Sequence, residues 1–322
     1  MRCYTGVYGP FIARFVAFKR SLGYKFVHGE SVLGRFDAFC AKRGEGSIGI
    51  TRELSEEWGR KRDNESDPTR YARVHCLMQF ASYLNDMGYP SFVPRPPSKY
   101  RSTFTPHIFS HEELGSLFPA IDEVCVNARR ICTSCADAFP TMARFLYGTG
   151  ARIGEAVALR ESDVNLERGI ATLRFTKNGQ ERMVPMSASL SDAMRQYAAS
   201  SGGAGLSEPF FKRADGEPCT CNTAYEWFRR GLSRAGIPHL GGGKGPRLHD
   251  LRHTFAVHSL AKMADEGLDL YYSLPILSAY LGHQSLEATD TYVRLTAEMF
   301  PFVIDSSDKV CSYVFPEVNP WR

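Results

Sequence analysis

Five prolines fall between residues 90 and 106: Pro90, Pro94, Pro96, Pro97 and Pro106. Each fixes its own φ and removes a backbone donor, so no helix and no central strand can run through the stretch. A chain of 322 residues interrupted in this way is expected to fold in two parts. The divisions read from it are a first part over 1–97, a stiff, extended connection over 98–109, and a second part over 110–322. Lys99 and Arg101 lie within the connection and make it basic.

The first part reads as four helices and no strand, a small helical bundle. One covers about 10–23, with Pro10 in its first turn, Gly23 as its stop, and Phe11, Phe15, Phe18 and Leu22 recurring on a core-facing side. The next covers about 29–43. A third runs from Thr51 to about Asp63 and carries Arg60, Lys61 and Arg62. The fourth opens at Asp67-Pro68, with Asp67 as N-cap, and presents Tyr71, Val74, Leu77, Met78, Ala81 and Leu84 on one face.

Charge separates the two parts as well. Residues 1–100 carry a balance of +6, and the remainder −2. A basic first part suits a polyanion such as DNA, with a solvated basic face as the plain alternative. The candidate phosphate contacts are Arg60, Lys61, Arg62, Arg70, Arg73, Lys99 and Arg101.

The second part opens at a capping box, Ser110 to Glu113, which starts a helix near His111. A dense helical pattern over 139–160 is interrupted at Gly148-Thr149-Gly150 and resumes at Ala151-Arg152-Ile153-Gly154-Glu155. The period then changes to two: Ile170 to Phe175 and Arg182 to Met186 alternate, with Asn178-Gly179 between them as a hairpin turn. Lys177 sits beside that turn. Helices return at about 190–199 and 220–235, at Asp250, and in a stretch ending at Leu281. The fold class is therefore mainly α with a small antiparallel β-sheet, in two domains.

Several function classes are set aside. No apolar run approaches a membrane span and no signal-peptide pattern opens the chain, so a cytoplasmic protein without a membrane partner is expected. Nine cysteines are odd in number and scattered. Cys132 and Cys135 form a CxxC and Cys219 and Cys221 a CxC, with no completed zinc pattern, so they read as reduced thiols. Gly241 to Gly245 lacks the Walker order, because a glycine follows Lys244.

The stretch Pro246-Arg247-Leu248-His249-Asp250-Leu251-Arg252-His253-Thr254-Phe255-Ala256 holds the sharpest chemistry. Asp250 opens a helix whose buried side is Leu251, Phe255 and Ala256. His249 and Arg252 stand three positions apart, so one helix start can aim both at an anion. Arg152 opens an otherwise apolar helix after a glycine turn, where a guanidinium needs an anion or a partner such as Glu155. Leu281-Gly282-His283 ends a helix, and Tyr292 follows nine positions later.

Taken in order, Ala151-Arg152-Ile153-Gly154-Glu155, the Lys177 hairpin, His249 to Ala256, Leu281-Gly282-His283 and Tyr292 resemble the tyrosine recombinase (phage integrase) family over about residues 105–295. The bundle before the connection resembles that family's core-binding domain in layout only. The resemblance implies Tyr292 as nucleophile, Arg152 and Arg252 as phosphate clamps, Lys177 as general acid, His249 as general base and His283 as a donor to the phosphate. Glu155 and His253 would be supporting residues.

This chemistry suits the residue types. A phosphodiester under in-line attack gathers charge that two planar guanidiniums match, and a weakly acidic tyrosine hydroxyl needs a cationic site and a proton acceptor. A 3′-phosphotyrosine keeps the energy of the broken bond, so rejoining needs no cofactor. The resemblance further implies double-stranded DNA sites as partners and a homotetramer assembled on DNA. The chain would be nucleoid-associated when bound. It would integrate or excise a mobile element and, with no domain ahead of the bundle, bind core sites alone.

Three alternatives stand beside it: a type IB topoisomerase-like enzyme, a non-catalytic DNA-binding regulator of the same fold, and a metallohydrolase built on His249, Asp250 and His283. The last lacks ligand spacing. A carboxylate pairing Arg252 away from the other residues would overturn the recombinase reading.

Overall fold

The computed structural model describes residues 4–98, 105–128, 134–174, 181–202, 205–239, 241, 245–282, 292, 295 and 296. It divides into two compact units, Met1–Phe104 and Thr105–Arg322.

Four helices build the first unit: α1 (Gly9–Ser21), α2 (Val27–Arg43), α3 (Arg52–Gly59) and α4 (Asp67–Asp86). Their shared core holds Tyr8, Ile12, Phe15, Val16, Val32, Leu33, Phe36, Leu54, Trp58, Leu77, Phe80 and Leu84. Buried Asp37 ties the chain start to α2 by accepting the backbone N–H groups of Thr5, Gly6 and Tyr8.

Three local expectations are corrected here. The seam of α1 runs through Tyr8, Ile12, Phe15 and Val16 rather than the full phenylalanine stripe, which leaves Phe18 47% and Leu22 56% exposed. Phe18 stacks on Tyr83 outside the core. Helix α3 stops at Gly59, because Arg60 turns to extended backbone, so Arg60, Lys61 and Arg62 belong to the α3–α4 loop. The N-cap of α4 is Ser66, whose hydroxyl accepts from Thr69 N, and Asp67 is the first helical residue.

The second unit begins with α5 (His111–Asn127), started by the full capping box of Ser110 and Glu113. It continues through α6 (Phe139–Thr149) and the short α7 (Ile153–Val157). A three-stranded antiparallel sheet follows in the order β1 (Val164–Asn165), β2 (Ile170–Leu173), β3 (Arg182–Pro185). Leu173 pairs with Arg182 at the end of the β2–β3 ladder. The Asn178-Gly179 turn and Lys177 lie outside the described residues. Strand β1 had no signature in the sequence, because two residues show no alternation.

Further helices are α8 (Ala188–Ser200), α9 (Cys221–Arg234), α10 (Asp250–Asp265) and α11 (Leu270–Leu281). The fold is mainly helical with a small antiparallel sheet, as the sequence implied. Two apolar clusters organise the unit. The larger gathers Phe139, Met142, Phe145, Ala171, Leu173, Val184, Phe211, Phe228 and Leu251 around α6. The smaller packs α10 on α11 through Ala256, Val257, Leu260, Leu277 and Leu281, and includes Tyr292 and Leu295. The site lies where these clusters meet.

Candidate active site

Helix α10 starts on its own brace. Buried Asp250 accepts Arg247 N at 2.8 Å and Arg247 Nη2 at 3.1 Å, which fixes the turn ahead of the helix. His249 is the N-cap position, but its side chain makes no capping bond. Its ring stands edge-on to His253, centroids 4.9 Å apart. The residue keeps an open face to solvent. Crowding by its neighbours, then the charges of Arg252, Arg247 and Arg152, push its pKa down to about 4. Neutral at physiological pH, this imidazole can accept or donate one hydrogen bond.

Arg252, in the first turn, is 2% exposed. Its Nη1 donates to Gly150 O at 2.6 Å and its Nη2 to Leu281 O at 2.7 Å. Those carbonyls belong to the C-terminal ends of α6 and α11, where helices leave acceptors unsatisfied and partial negative charge accumulates. No carboxylate pairs with Arg252 among the described residues. The guanidinium is held by dipoles, those two carbonyls and the Tyr292 hydroxyl. Burial, then the neighbouring charge of Arg152, bring its pKa down to about 10, so it stays cationic while lacking an anion.

Gly150 makes this socket possible. Its φ is +61°, and a Cβ there would stand 2.5 Å from Phe255 Cδ1 and 2.9 Å from Leu281 Cδ2. Only glycine lets the end of α6 turn left-handed so close to α10 and α11.

Arg152 follows two residues later. It donates through Nη1 to Glu155 Oε1 at 2.9 Å, through its backbone N to Glu155 Oε2 at 2.9 Å, and weakly through Nη2 to Gly282 O at 3.4 Å. Glu155 also receives both terminal nitrogens of Arg182, at 2.9 and 2.7 Å. Burial alone would push this carboxyl up, but the hydrogen bonds from Arg182 and Arg152 and their charge bring it down to about 2. One carboxylate is shared by two guanidiniums, so this cluster also keeps a net positive charge.

Tyr292 is 3% exposed within the α10–α11 cluster. Its hydroxyl lies 3.0 Å from His253 Nδ1, and its backbone O accepts the Thr296 hydroxyl at 2.7 Å. Burial raises the phenol above its ordinary pKa, against the charge and hydrogen bond of Arg252 and the charge of Arg152. The resting hydroxyl is protonated beside a cation and an imidazole. That imidazole is His253, which the sequence suggested only as a supporting residue.

The structure thus brings Arg152, Glu155, His249, Arg252, His253 and Tyr292 together. Lys177 and His283 lie outside the described residues, as do Lys99 and Arg101. Sequence reasoning missed Arg182, because an arginine opening a strand carries no motif of its own.

In the first unit, Arg60, Lys61 and Arg62 are exposed. Lys61 pairs with Asp67, Arg62 lies over the Trp58 ring, and Arg70 donates Nε to Gly59 O. Arg73 is different and corrects the expectation of a phosphate contact. It is 2% exposed and bidentate to Glu65 at 2.7 and 2.6 Å, so its charge is spent inside the fold.

Three comparisons bear on this arrangement. The phage integrase family model matches residues 108–299. A protein of Sinorhizobium fredii described as a candidate integrase/recombinase is 28% identical over 89% of this chain and 93% of its own length. The tyrosine recombinase XerD of Corynebacterium glutamicum is 32% identical over 49% of this chain and 48% of its own. Among solved structures, the Tn1549 transposon integrase in complex with transposon right-end DNA covers 88% of this chain and 93% of that one. Its TM-score is 0.62 at 18% identity, a likeness of fold.

Proposed function

Because the chain belongs to the phage integrase family, the tyrosine recombinases, we propose that it breaks and rejoins double-stranded DNA at specific sites through the cluster around Tyr292. One arrangement supports this above all. The Tyr292 hydroxyl contacts His253 and Arg252, and Arg252 is a buried cation that, among the described residues, meets this hydroxyl and two carbonyl oxygens but no paired carboxylate. A phosphodiester supplies the anion that this cation lacks, within reach of the nucleophile.

In the proposed reaction Arg152 and Arg252 grip the non-bridging oxygens of one phosphate. The Tyr292 oxygen attacks phosphorus and gives its proton to an imidazole, His253 by contact or the neutral His249 beside it. The P–O5′ bond breaks and the departing oxygen takes a proton, for which Lys177 is the assigned donor; His283 donates to the phosphate. Attack by a 5′-hydroxyl on the 3′-phosphotyrosine reverses the sequence and reseals a strand. Arg60, Lys61, Arg62 and Arg70 of the first unit contact the backbone of the duplex. A homotetramer on two DNA sites, mobilising an integrated element in the cytoplasm or nucleoid, completes the assignment.

The test is a selection followed by a trap. Duplexes retained by the protein from a random pool are nicked next to candidate scissile phosphates and incubated with it. A covalent protein–DNA adduct that Tyr292→Phe abolishes, while DNA retention persists, is the expected result. Retention without any adduct replaces the reading with a DNA-binding regulator. Relaxation of supercoils with an adduct but no recombinant product replaces it with a topoisomerase-like enzyme.

A further inference from the structure

Arg182 has no part in the reaction just described, yet it meets the phosphate-gripping cluster at its most crowded point. It opens β3, opposite Leu173, and sends its side chain to Glu155. Glu155 is filled: its two oxygens accept the Arg152 backbone N, Arg152 Nη1, Arg182 Nη1 and Arg182 Nη2. A carboxylate has about four acceptor sites. The two guanidiniums use it unequally. Arg182 takes both oxygens with both terminal nitrogens, and Arg152 is left with one side-chain bond.

The inequality follows from how the chain approaches. Gly282, at φ +66°, ends α11 between the two arginines; a Cβ there would lie 3.3 Å from Arg182 Nη1. Its carbonyl O lies 3.4 Å from Arg152 Nη2. The Nε of Arg182 is buried without a hydrogen-bond partner among the described residues.

We propose that Arg182 is a positioning residue of the cleavage site: by occupying both oxygens of Glu155, it limits Arg152 to one side-chain bond with that carboxylate and frees the rest of the Arg152 fork for a DNA phosphate. This rests on the cleavage reading above. Without Arg182, a buried carboxylate faces a single guanidinium. Fork-to-fork pairing is then the favoured geometry, and Arg152 becomes neutralised inside the protein. Arg182 supplies the second positive charge that keeps the pair of arginines short of neutrality.

The experiment uses the full chain, the nicked duplexes of the retained pool, and the variants Arg182→Met, Arg182→Lys and Arg182→Met with Glu155→Gln. In the crystal structure of Arg182→Met, Arg152 is expected to turn onto both Glu155 oxygens, and adduct formation to slow by about 10²-fold with DNA retention unchanged. Adding Glu155→Gln removes the competing charge and is expected to restore about tenfold of that loss. A residue that merely held the fold would instead give the double variant a larger loss than the single one. That outcome, or an Arg152 unmoved in Arg182→Met, overturns the proposal. If Arg182→Met does not fold, Arg182→Lys, which keeps the charge but releases one Glu155 oxygen, is read the same way. A wild-type chain that forms no Tyr292 adduct removes the cleavage reading, and the position of Arg152 still decides the role of Arg182.

Discussion

His253 Nδ1 and the Tyr292 hydroxyl stand 3.0 Å apart on side chains separated by 39 positions in the chain. The contact puts an imidazole nitrogen within hydrogen-bond reach of a protonated, buried phenol before any substrate arrives. His253→Ala is therefore expected to slow formation of the covalent adduct by about 10²-fold, while Tyr292→Phe removes it. Single-turnover adduct rates on nicked DNA check this. A His253→Ala rate equal to wild type would transfer the proton step to His249.

Glu155 balances two arginines and is itself 3% exposed. Removing it leaves two half-buried guanidiniums facing each other. Glu155→Ala should cost about 3–5 kcal/mol of stability in urea denaturation, the range for breaking a buried charged pair. A loss below about 1 kcal/mol would mean that solvent already screens the cluster.

Gly150→Ala combines a left-handed backbone position with collisions against Phe255 and Leu281. We expect a loss of about 2–4 kcal/mol, from strain and overpacking together. Adduct formation should fall further than the unfolded fraction explains, because Gly150 O is one of the two holders of Arg252. Denaturation midpoints and adduct rates measured on the same preparation separate the two effects.

Two histidines make the fold sensitive to acid. His249 and His258 are each depressed to about 4, by burial first and then by positive neighbours. A folded pKa below the unfolded value means that the unfolded chain takes up protons first. Their stabilising contribution is complete above pH 6.5 and is lost as the pH falls toward 4. Glu155 adds a loss only below about pH 4.5, since its folded carboxyl is also depressed. The urea midpoint should be flat from pH 8 to 7 and decline between 6.5 and 4.5, and His258→Gln should lessen the decline. An unchanged midpoint over that interval would sink the prediction.

Arg73 and Arg62 separate framework from surface in the first unit. Arg73→Ala exposes a buried Glu65 without its partner and should cost about 3–5 kcal/mol. Arg62→Ala should change stability by no more than about 0.5 kcal/mol. It should weaken DNA retention and lower the salt slope by about one unit, as loss of one phosphate contact does. Equal stability losses in the two variants contradict this division.

How much of this was legible depended on whether local spacing or distant approach decided it. The glycine before Arg152, the three-residue step from His249 to Arg252, and the capping box at Ser110 are short-range patterns, and they led to the residues. The fold class followed from the periods. The holders of Arg252 are carbonyls at residues 150 and 281, set by where two helix ends meet in space, and no pattern carries that. Arg182 was invisible because its partner lies 27 residues away, in another element. Arg73 misled because a basic residue in a basic stretch gives no sign that Glu65 faces it across the turn. Phe18 misled because a stripe of three phenylalanines and a leucine is wider than the seam a small bundle buries.

The cation facing Tyr292 also works as a gauge of assembly. Arg252 keeps its place only while the ends of α6 and α11 abut, since each contributes one of its two acceptors. Sliding α11 away from α6 would strip the guanidinium of half its support in the same movement that disturbs the cluster holding Tyr292. In the reaction proposed above, electrophilic grip and nucleophile would thus be lost together. On that reading, a subunit whose α11 is out of register would make no half-competent cut, because both halves of the chemistry hang on a single joint.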